Sequence, residues 1–454
     1  MGENNLVNNN LINWIQKIIH LRISSNLILN FNFERSIWII NISDSAKYIK
    51  IPLIKSLYKI GCAEKLKTSI WESGNEGFFL KENFIQMPGK DQPEKIIKTE
   101  ENYIQINYDI LGLTYWMLSR CEEINPNKSI LDKHNRFPSK ASHAYKNNYL
   151  KRPIVDEWHL ILRQIISKLW PQINLVKLNF KTVLSHDVDR PSSYLYLNNR
   201  KFFYNSASQF LRNRNLIELV RRTKNRFLKS SSVDQNDVYN TFSKIMETSE
   251  SKNLKSTFNF MTGGNHRFDG NYKINNKGIV ELIKEIIQRG HQVGIHPSYN
   301  SAINNKISAE TNLLREVIIK NKIKYEINTS RMHYLRYDSK TTPILLYEAG
   351  IKCDSSMGYA DSTGFRSGTC FKYPMFDPIR KEEIGIYQLP LIAMEGSVMN
   401  PAYMNLGHTK DAFKEFSYLK AQCKFVGGNF TLLWHNCSLT TKKDWELYIN
   451  IIDS

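Results

Sequence analysis

The stretch FKTVLSHDVD, residues 180–189, decides how the C-terminal part of this chain is interpreted. Its apolar start, residues 180–185, is typical of a buried β-strand, and Asp187 and Asp189 follow at the end of that strand. Residues two apart in an extended segment point to the same side, so the two carboxylates are predicted to face one site. The structural alternative, a capping or turn role for the Asp-x-Asp pair, stays open.

Strand and helix patterns alternate from this stretch to the C-terminus. The further segments predicted as strands are residues 256–261, 291–295, 325–329, 351–354, 386–391 and 430–434. Amphipathic segments between them, such as the one from Ile279 to Ile287, predict helices. About seven β/α units in succession predict a barrel-like parallel sheet over residues 173–454.

The first 172 residues lack this alternation. Residues 36–42 are predicted to form a strand, and residues 108–123 and 156–169 amphipathic helices. Since 454 residues are more than one compact core usually holds, we expect two domains. Residues 1–172 are therefore predicted to form a smaller α/β domain, whose role the sequence does not indicate.

Polar side chains follow several of the predicted strands. In a parallel α/β barrel the active site gathers at the C-terminal ends of the strands. The segments at these ends are SHDVD at 185–189, HPSYN at 296–300, RMHYLRYD at 331–338 and WHN at 434–436. Their concentration at one edge predicts a catalytic site.

These residue types suit a metal-assisted hydrolase. A divalent ion needs a few nitrogen or oxygen ligands and an open position for water. We expect Asp189 and His296 to be ligands. Asn300, four residues after His296, is the expected third ligand if Pro297 begins a helical turn. The alternatives are an ordinary loop histidine at 296 and a turn asparagine at 300.

The remaining predicted roles concern proton transfer and the substrate. Asp187 is expected to take a proton from the bound water. Arg336 is expected to pair with Asp187 and keep it ionised, with Arg331 as the alternative partner. His435 is expected to protonate the leaving group. Two neighbouring residues are expected to line the substrate pocket, His333 and Tyr334.

The same segments resemble the motifs of the NodB-like polysaccharide deacetylases. The similar segments are SHDVD at 185–189, GHQVGIH at 290–296, LRY at 335–337 and LWH at 433–435, in the family's order from about residue 175 onward. The resemblance implies a distorted (β/α)7 barrel, a divalent metal that is often zinc, and removal of acetyl groups from N-acetylated sugars. It also implies that Asp187 is the base, that Asp189 and His296 are ligands, and that His435 is the acid.

One departure from the family concerns the metal. The family's second metal-binding histidine lies four residues after the first, where this chain has Asn300. An amide oxygen is a weaker ligand than an imidazole for zinc. The N-terminal part resembles an uncharacterised domain that precedes some bacterial members.

The predicted function is a hydrolase that removes acetyl groups from N-acetylated sugars of a polysaccharide or its precursor, with metal-bound water as the nucleophile. A carbohydrate is therefore the expected substrate. Two alternatives remain open. One is a non-metal amidohydrolase on the same barrel, and the other is an inactive glycan-binding protein.

A basic run lies inside residues 190–250, which are predicted to form a helical insertion. The chain carries a net charge of +19, and much of the excess falls between residues 200 and 229. Leu216, Leu219, Val220 and Phe227 interleave with the basic residues at helical spacing. One interpretation is a solvated helix face, and the other is contact with an anionic membrane surface or glycan. Nucleic acid is not expected as a partner.

The expected location follows from what the sequence lacks. No stretch is apolar for the roughly 18 residues that a membrane helix needs, and the N-terminus has no secretory pattern. The six cysteines form no C-x-x-C pair, so neither a zinc cluster nor a disulfide framework is predicted. We expect a cytoplasmic protein, with peripheral contact at the inner membrane if the basic run binds lipid.

Overall fold

The computed structural model describes residues 6–61, 66–92, 95–227 and 233–454. These residues form a mixed α/β protein with three sheets, in agreement with the predicted class. The strands are β1 (Ile28–Asn32), β2 (Ile37–Asn41), β3 (Tyr48–Pro52), β4 (Thr68–Trp71), β5 (Ile85–Pro88), β6 (Ile97–Thr99), β7 (Tyr103–Ile106), β8 (Lys181–Val188), β9 (Ser256–Phe260), β10 (Gln292–Ile295), β11 (Thr329–Ser330), β12 (Cys353–Asp354), β13 (Tyr373–Asp377), β14 (Glu382–Gln388), β15 (Ala393–Met394) and β16 (Asn429–Leu433).

The helices in the same part of the chain are α1 (Asn9–Arg22), α2 (Ile110–Leu118), α3 (His143–Lys146), α4 (Ile154–Leu169), α5 (Asn199–Asn213), α6 (Leu216–Phe227), α7 (Phe242–Ser251), α8 (Lys277–Gln288), α9 (Ile307–Lys320), α10 (Thr342–Glu348), α11 (Glu395–Met399), α12 (Lys410–Val426) and α13 (Lys442–Asp453). None of these helices is both long and apolar enough to cross a bilayer.

The N-terminal part is built on a five-stranded sheet with the order β1-β2-β3-β7-β6 and on a separate hairpin of β4 and β5. Buried and partly exposed residues alternate in β2 and β3, so that one face packs into the core. The helix predicted at residues 108–123 is shorter, because α2 ends at Leu118 and a 3-10 turn follows at Cys121–Glu123.

The C-terminal part is built on a nine-stranded sheet with the order β13-β14-β12-β11-β10-β9-β8-β16-β15. Every neighbouring pair is parallel except β13 with β14. Across the described residues no strand pairing joins the edge strands β13 and β15, so hydrogen bonding does not close this sheet into a ring. The parallel order places the carboxyl ends of β8, β9, β10, β11 and β16 at one edge.

Buried polar contacts join the two parts. Trp14 Nε1 donates to the carbonyl of Pro374 at 2.8 Å, and Arg366 donates to both carboxylate oxygens of Glu123. Arg22 pairs with Asp156 at 3.0 Å, and Asp156 also accepts from the hydroxyl of Thr369. One continuous set of buried apolar residues runs through both parts. The N-terminal part therefore packs directly against the C-terminal part, and its side chains can reach the edge of the nine-stranded sheet.

Candidate metal centre and catalytic site

Three ligand atoms converge at the edge of the nine-stranded sheet. Asp189, His296 and His333 each offer one atom, and these atoms all lie within 4.8 Å of one another. His296 Nε2 lies 3.2 Å from Asp189 Oδ1, and His333 Nε2 lies 3.7 Å from Asp189 Oδ2. Both Nε2 atoms and Asp189 Oδ1 are buried and make no hydrogen bond to any described residue. Buried polar atoms are rarely left without a partner, so this cluster suits a cation.

The two histidines are held in the orientation that metal ligands need. The Nδ1 of His296 donates to the carbonyl of Arg331 at 2.5 Å, and the Nδ1 of His333 lies 3.3 Å from Asp269 Oδ1. Each contact leaves Nε2 pointing into the cluster. A hydrogen bond to the far ring nitrogen is the usual support of a metal-binding histidine.

The backbone after β11 is strained where it carries His333. Tyr334 and Leu335 both adopt left-handed conformations, with φ of 61° and 52°. Such conformations are costly for residues other than glycine and persist where surrounding contacts enforce them. Here Arg136 Nη1 donates to the carbonyl of Tyr334 at 2.8 Å, and the His333 N–H donates to the carbonyl of Pro297 at 3.2 Å.

Arg336 does not pair with Asp187 as predicted. Its Nη1 donates to the amide oxygen of Asn300 at 2.9 Å and to the carbonyl of Tyr299, and its Nε donates to the carbonyl of His134. The left-handed turn immediately before it directs the chain away from the carboxylates.

Arg331, the alternative partner, is the arginine that approaches the base. Its Nε lies 3.5 Å from Asp187 Oδ1, and its Nη2 donates to the hydroxyl of Ser185 at 2.8 Å. The side chain is 1% exposed. Asp187 Oδ1 also accepts from Asn259 Nδ2 at 2.8 Å, a contact with β9 that no pattern in the sequence indicates.

The predicted role of Asn300 as the third ligand is likewise corrected. Pro297 begins no helical turn, because residues 296–298 are irregular and residues 299–300 lie in a turn. The amide oxygen of Asn300 therefore meets Arg336 rather than the ligand cluster. His333, expected only to line the pocket, supplies the third candidate ligand atom. The sequence indicates this role for His333 through its position, two residues after Arg331 at the end of the same strand.

His435 approaches the cluster from β16. Its Nε2 lies 3.8 Å from Asp189 Oδ2, and its Nδ1 lies 2.6 Å from Glu395 Oε1. Burial disfavours the charged imidazole, but Glu395 and then Asp189 and Asp187 outweigh burial and hold the pKa of His435 well above its ordinary value. Glu395 begins α11 directly after the two-residue strand β15, and no sequence pattern singled it out.

Asp189 is the acidic centre of the group. Burial alone would raise its pKa, but the surrounding histidines, first His333 and then His296 and His435, hold the pKa well below the ordinary value. Asp189 is therefore ionised. Asp189 in turn outweighs burial and raises the pKa of His333 to about 9, so zinc would have to displace a proton from this imidazole. The carboxylate and the two imidazoles would then form a donor set that divalent zinc accepts.

A cavity of about 190 Å³ opens over these residues. Asp187, Asp189, His333 and His435 form its polar floor, and Tyr334 and Tyr403 also line it. Its apolar wall consists of Leu335, Ala360, Met394 and Leu433, which pack together as a small cluster apart from the main core. Arg136 reaches the cavity from the N-terminal part and bonds the hydroxyl of Tyr403 at 3.0 Å.

Comparisons with known proteins found one matching family model and several similar solved structures. Residues 17–171 match the model of a family of unknown function, DUF7033. No curated protein matches the chain. Among solved structures, a "putative polysaccharide deacetylase" from Mycobacterium smegmatis aligns over 63% of this chain and 85% of its own, with 13% identity and a TM-score of 0.38. A 4-alpha-glucanotransferase from Thermococcus litoralis aligns over 61% of this chain and 36% of its own, with 14% identity and a TM-score of 0.32.

Proposed function

We propose that this chain is a metal-dependent hydrolase that removes acetyl groups from N-acetylated sugars. The observation that carries the proposal is the set of buried, unbonded ligand atoms of Asp189, His296 and His333. Asp187 and His435 flank the same cavity. A general base, a general acid and a cation site around one cavity are the parts that metal-assisted amide hydrolysis requires.

The ligands would be Asp189 Oδ1, His296 Nε2 and His333 Nε2. Three protein ligands of this kind are typical of catalytic zinc sites, which keep a position open. A divalent ion bound there would polarise the amide carbonyl and increase the acidity of a water molecule.

Asp187 is positioned to accept the proton of the attacking water. Asn259 donates to its Oδ1, and the buried guanidinium of Arg331 lies beside the same oxygen. Both contacts hold the carboxylate through Oδ1 and leave Oδ2 turned towards His296 at 3.8 Å, free to accept a proton.

His435 is positioned to protonate the leaving amine. Glu395 raises the pKa of this imidazole, and the contact of Nδ1 with Glu395 leaves Nε2 facing the cavity. Base and acid thus stand at different positions around the ligand cluster, so that one can take a proton while the other gives one.

The apolar wall of the cavity supports an acetyl group as the group removed. Leu335, Met394 and Leu433 offer a small apolar surface beside the polar floor. A methyl group would lose its hydration there, whereas Tyr334 and Tyr403 would meet the sugar ring and its hydroxyls.

A barrel-like curvature of the nine-stranded sheet is part of the proposal. Strands β11 and β16 are separated by three others, which would place them about 19 Å apart in a flat sheet. His333 after β11 and His435 after β16 nevertheless both approach Asp189 Oδ2. Curvature of the sheet accounts for this convergence.

The test is release of acetate from N-acetylated oligosaccharides and nucleotide sugars by the purified full chain, with metal content measured on the same sample. We expect release by the wild type and loss of at least about 100-fold in Asp187→Asn, since the base is removed but the shape is kept. Asp411→Asn, a change at an exposed carboxylate on α12, is the matched control. Acetate release by Asp187→Asn at the wild-type rate would exclude this role for Asp187.

A further inference from the structure

A two-helix arm leaves the body of the protein shortly after Asp189. We call residues 199–227, which contain α5 and α6, the basic arm. Arg214, in a left-handed conformation with φ of 48°, follows α5 at the bend between the two helices. Residues 228–232, which belong to the predicted insertion, lie outside the described residues.

The basic arm exposes an unusual amount of apolar surface. Seven large apolar side chains are between 56 and 83% exposed: Phe203, Tyr204, Leu211, Leu216, Ile217, Val220 and Phe227. On α6, Leu216 and Val220 are four residues apart and Phe227 follows seven later, so they share one helix face. Single exposed apolar residues are common on protein surfaces. A contiguous group of them on one helix marks a surface that a membrane or another molecule covers.

The basic side chains of the arm that the structure describes divide into two groups. The sequence of the arm holds eight basic residues and one acidic residue, Glu218, which pairs with Arg221. Arg222 lies 4.7 Å from the ring centre of Tyr194, and Arg226 donates to the carbonyls of Leu195 and Leu197. Arg222 and Arg226 therefore fasten α6 to the segment that precedes α5.

The second group of charges faces solvent. Its members are Arg200, Lys201, Arg214 and Lys224, all exposed. Lys224 lies four residues after Val220 and three before Phe227, so it stands within the apolar face of α6. The outer surface of the described part of the arm thus combines apolar side chains with positive charge and presents no unpaired acid.

We propose that the basic arm docks on an anionic lipid bilayer. The apolar side chains enter the boundary between headgroups and acyl chains, and the exposed basic residues contact lipid phosphates. A nucleic acid or a soluble acidic glycan would satisfy the charges but leave the apolar side chains in water. A second copy of the arm would cover the apolar side chains but bring like charges together. A bilayer satisfies both features.

The insertion is anchored beside the catalytic histidine. Asn436, the neighbour of His435, donates through Nδ2 to the carbonyl of Arg190 at 3.0 Å and to that of Tyr239 at 2.8 Å. The insertion that carries the arm therefore starts and returns at the sheet edge that carries the cavity. Docking would bring this edge towards the bilayer, which makes saccharides attached to lipid the expected substrate class. That consequence rests on the proposed function, whereas docking itself does not.

The experiment is co-sedimentation of the full chain with vesicles of equal parts phosphatidylglycerol and phosphatidylcholine, compared with phosphatidylcholine alone. We expect binding to the anionic vesicles only, weakening as salt rises because exposed charges are screened. Ile217→Asn/Val220→Asn should reduce the affinity at least about tenfold, since two apolar side chains no longer enter the bilayer. Arg214→Gln/Lys224→Gln should reduce it by about tenfold as well.

Matched controls come from exposed residues elsewhere on the chain. Ile319→Asn changes an apolar side chain that is 74% exposed on α9, and Lys320→Gln/Lys424→Gln removes two exposed charges. Both should bind as the wild type does.

Three results would each overturn the proposal. The first is equal binding to the two kinds of vesicle, and the second is equal binding by Ile217→Asn/Val220→Asn and Ile319→Asn. The third is concentration-dependent self-association through the arm without vesicle binding, which would assign the apolar face to a second copy. Because vesicle binding is measured without substrate, failure of acetate release leaves this test intact.

Discussion

The Nδ1 atom of His333 lies 3.3 Å from Oδ1 of Asp269, and this contact turns the opposite ring nitrogen towards Asp189. Asp269 is itself fixed, because its carboxylate accepts the backbone N–H groups of Tyr299 and His266. The orientation of the candidate ligand is thus set by a loop that follows β9, a different strand from the one that carries His333.

Asp269→Asn should weaken zinc binding by about 10- to 100-fold, the usual effect of losing the carboxylate behind a metal-binding histidine. The change keeps the size of the side chain, so the fold should survive. Zinc affinity measured by competition with a chelator checks it, with Asp411→Asn as the surface control. An unchanged affinity would mean that Asp269 has no part in holding the metal.

Substitution of His333 should lower zinc affinity, whereas substitution of Asn300 should leave it nearly unchanged. His333→Asn should lower zinc affinity by at least about 100-fold, since one of three ligands is lost. Asn300→Ala should change zinc affinity little, because its amide oxygen meets Arg336 instead of the ligand cluster. The same chelator competition compares the two variants. A larger loss in Asn300→Ala than in His333→Asn would restore the ligand set that the family resemblance implies.

Arg331 should act through Asp187 rather than through the metal. Arg331→Lys keeps the charge but cannot reproduce the guanidinium contacts with Asp187 and Ser185, so kcat should fall about tenfold or more. Zinc affinity and KM should stay near the wild-type values. Steady-state kinetics on the acetate assay and metal analysis separate the effects. A variant that loses metal and activity together would place Arg331 in the support of the metal instead.

Much of the site could be predicted from the sequence because its signals are local. Asp187, Asp189, His296 and His435 each lie at or just beyond the end of a strand whose apolar pattern is plain, and the structure brings all four together. Parallel pairing guarantees that such ends share an edge. Where the apolar pattern clearly identifies a strand, it also identifies the edge of the sheet at which the next residue lies.

The remaining residues depend on features that a sequence pattern does not carry. The left-handed turn at Tyr334 and Leu335 contains no glycine, so nothing signalled that Arg336 would point away from Asp187. Strand β15 has two residues and therefore no alternation, which hid Glu395. Arg136 reaches the cavity from the N-terminal part and lies 198 residues before Tyr334, the residue of the strained turn that it contacts. Such a contact depends on tertiary packing alone.

Glu123 lies at the junction of the two parts and makes the stability of the fold depend on pH. Burial alone would raise its pKa, but the guanidinium groups of Arg120 and Arg366 hold the pKa at about 2, below the ordinary 4.5. The ionised carboxylate therefore stabilises the fold above about pH 4.5, and this contribution is lost as the pH falls towards 2.

Glu123→Gln should destabilise the chain by about 3–5 kcal/mol at neutral pH, because two buried guanidinium groups lose their shared partner. The difference from the wild type should shrink at about pH 3. Denaturant unfolding at both pH values checks it. The control is Glu383→Gln, which removes an exposed pairing with Lys17 and should cost less than about 1 kcal/mol. Equal effects of the two substitutions would contradict the burial argument.

The central claim is that Asp189, His296 and His333 hold a divalent ion that acetate release requires. The most direct measurement is acetate release from N-acetylated oligosaccharides by one preparation as purified, after chelation, and after zinc is added back. Release by the wild type should stop on chelation and return with zinc, and release by His333→Asn should stay at least about 100-fold lower at equal total zinc. Undiminished release by the fully metal-free protein would contradict the requirement for the ion.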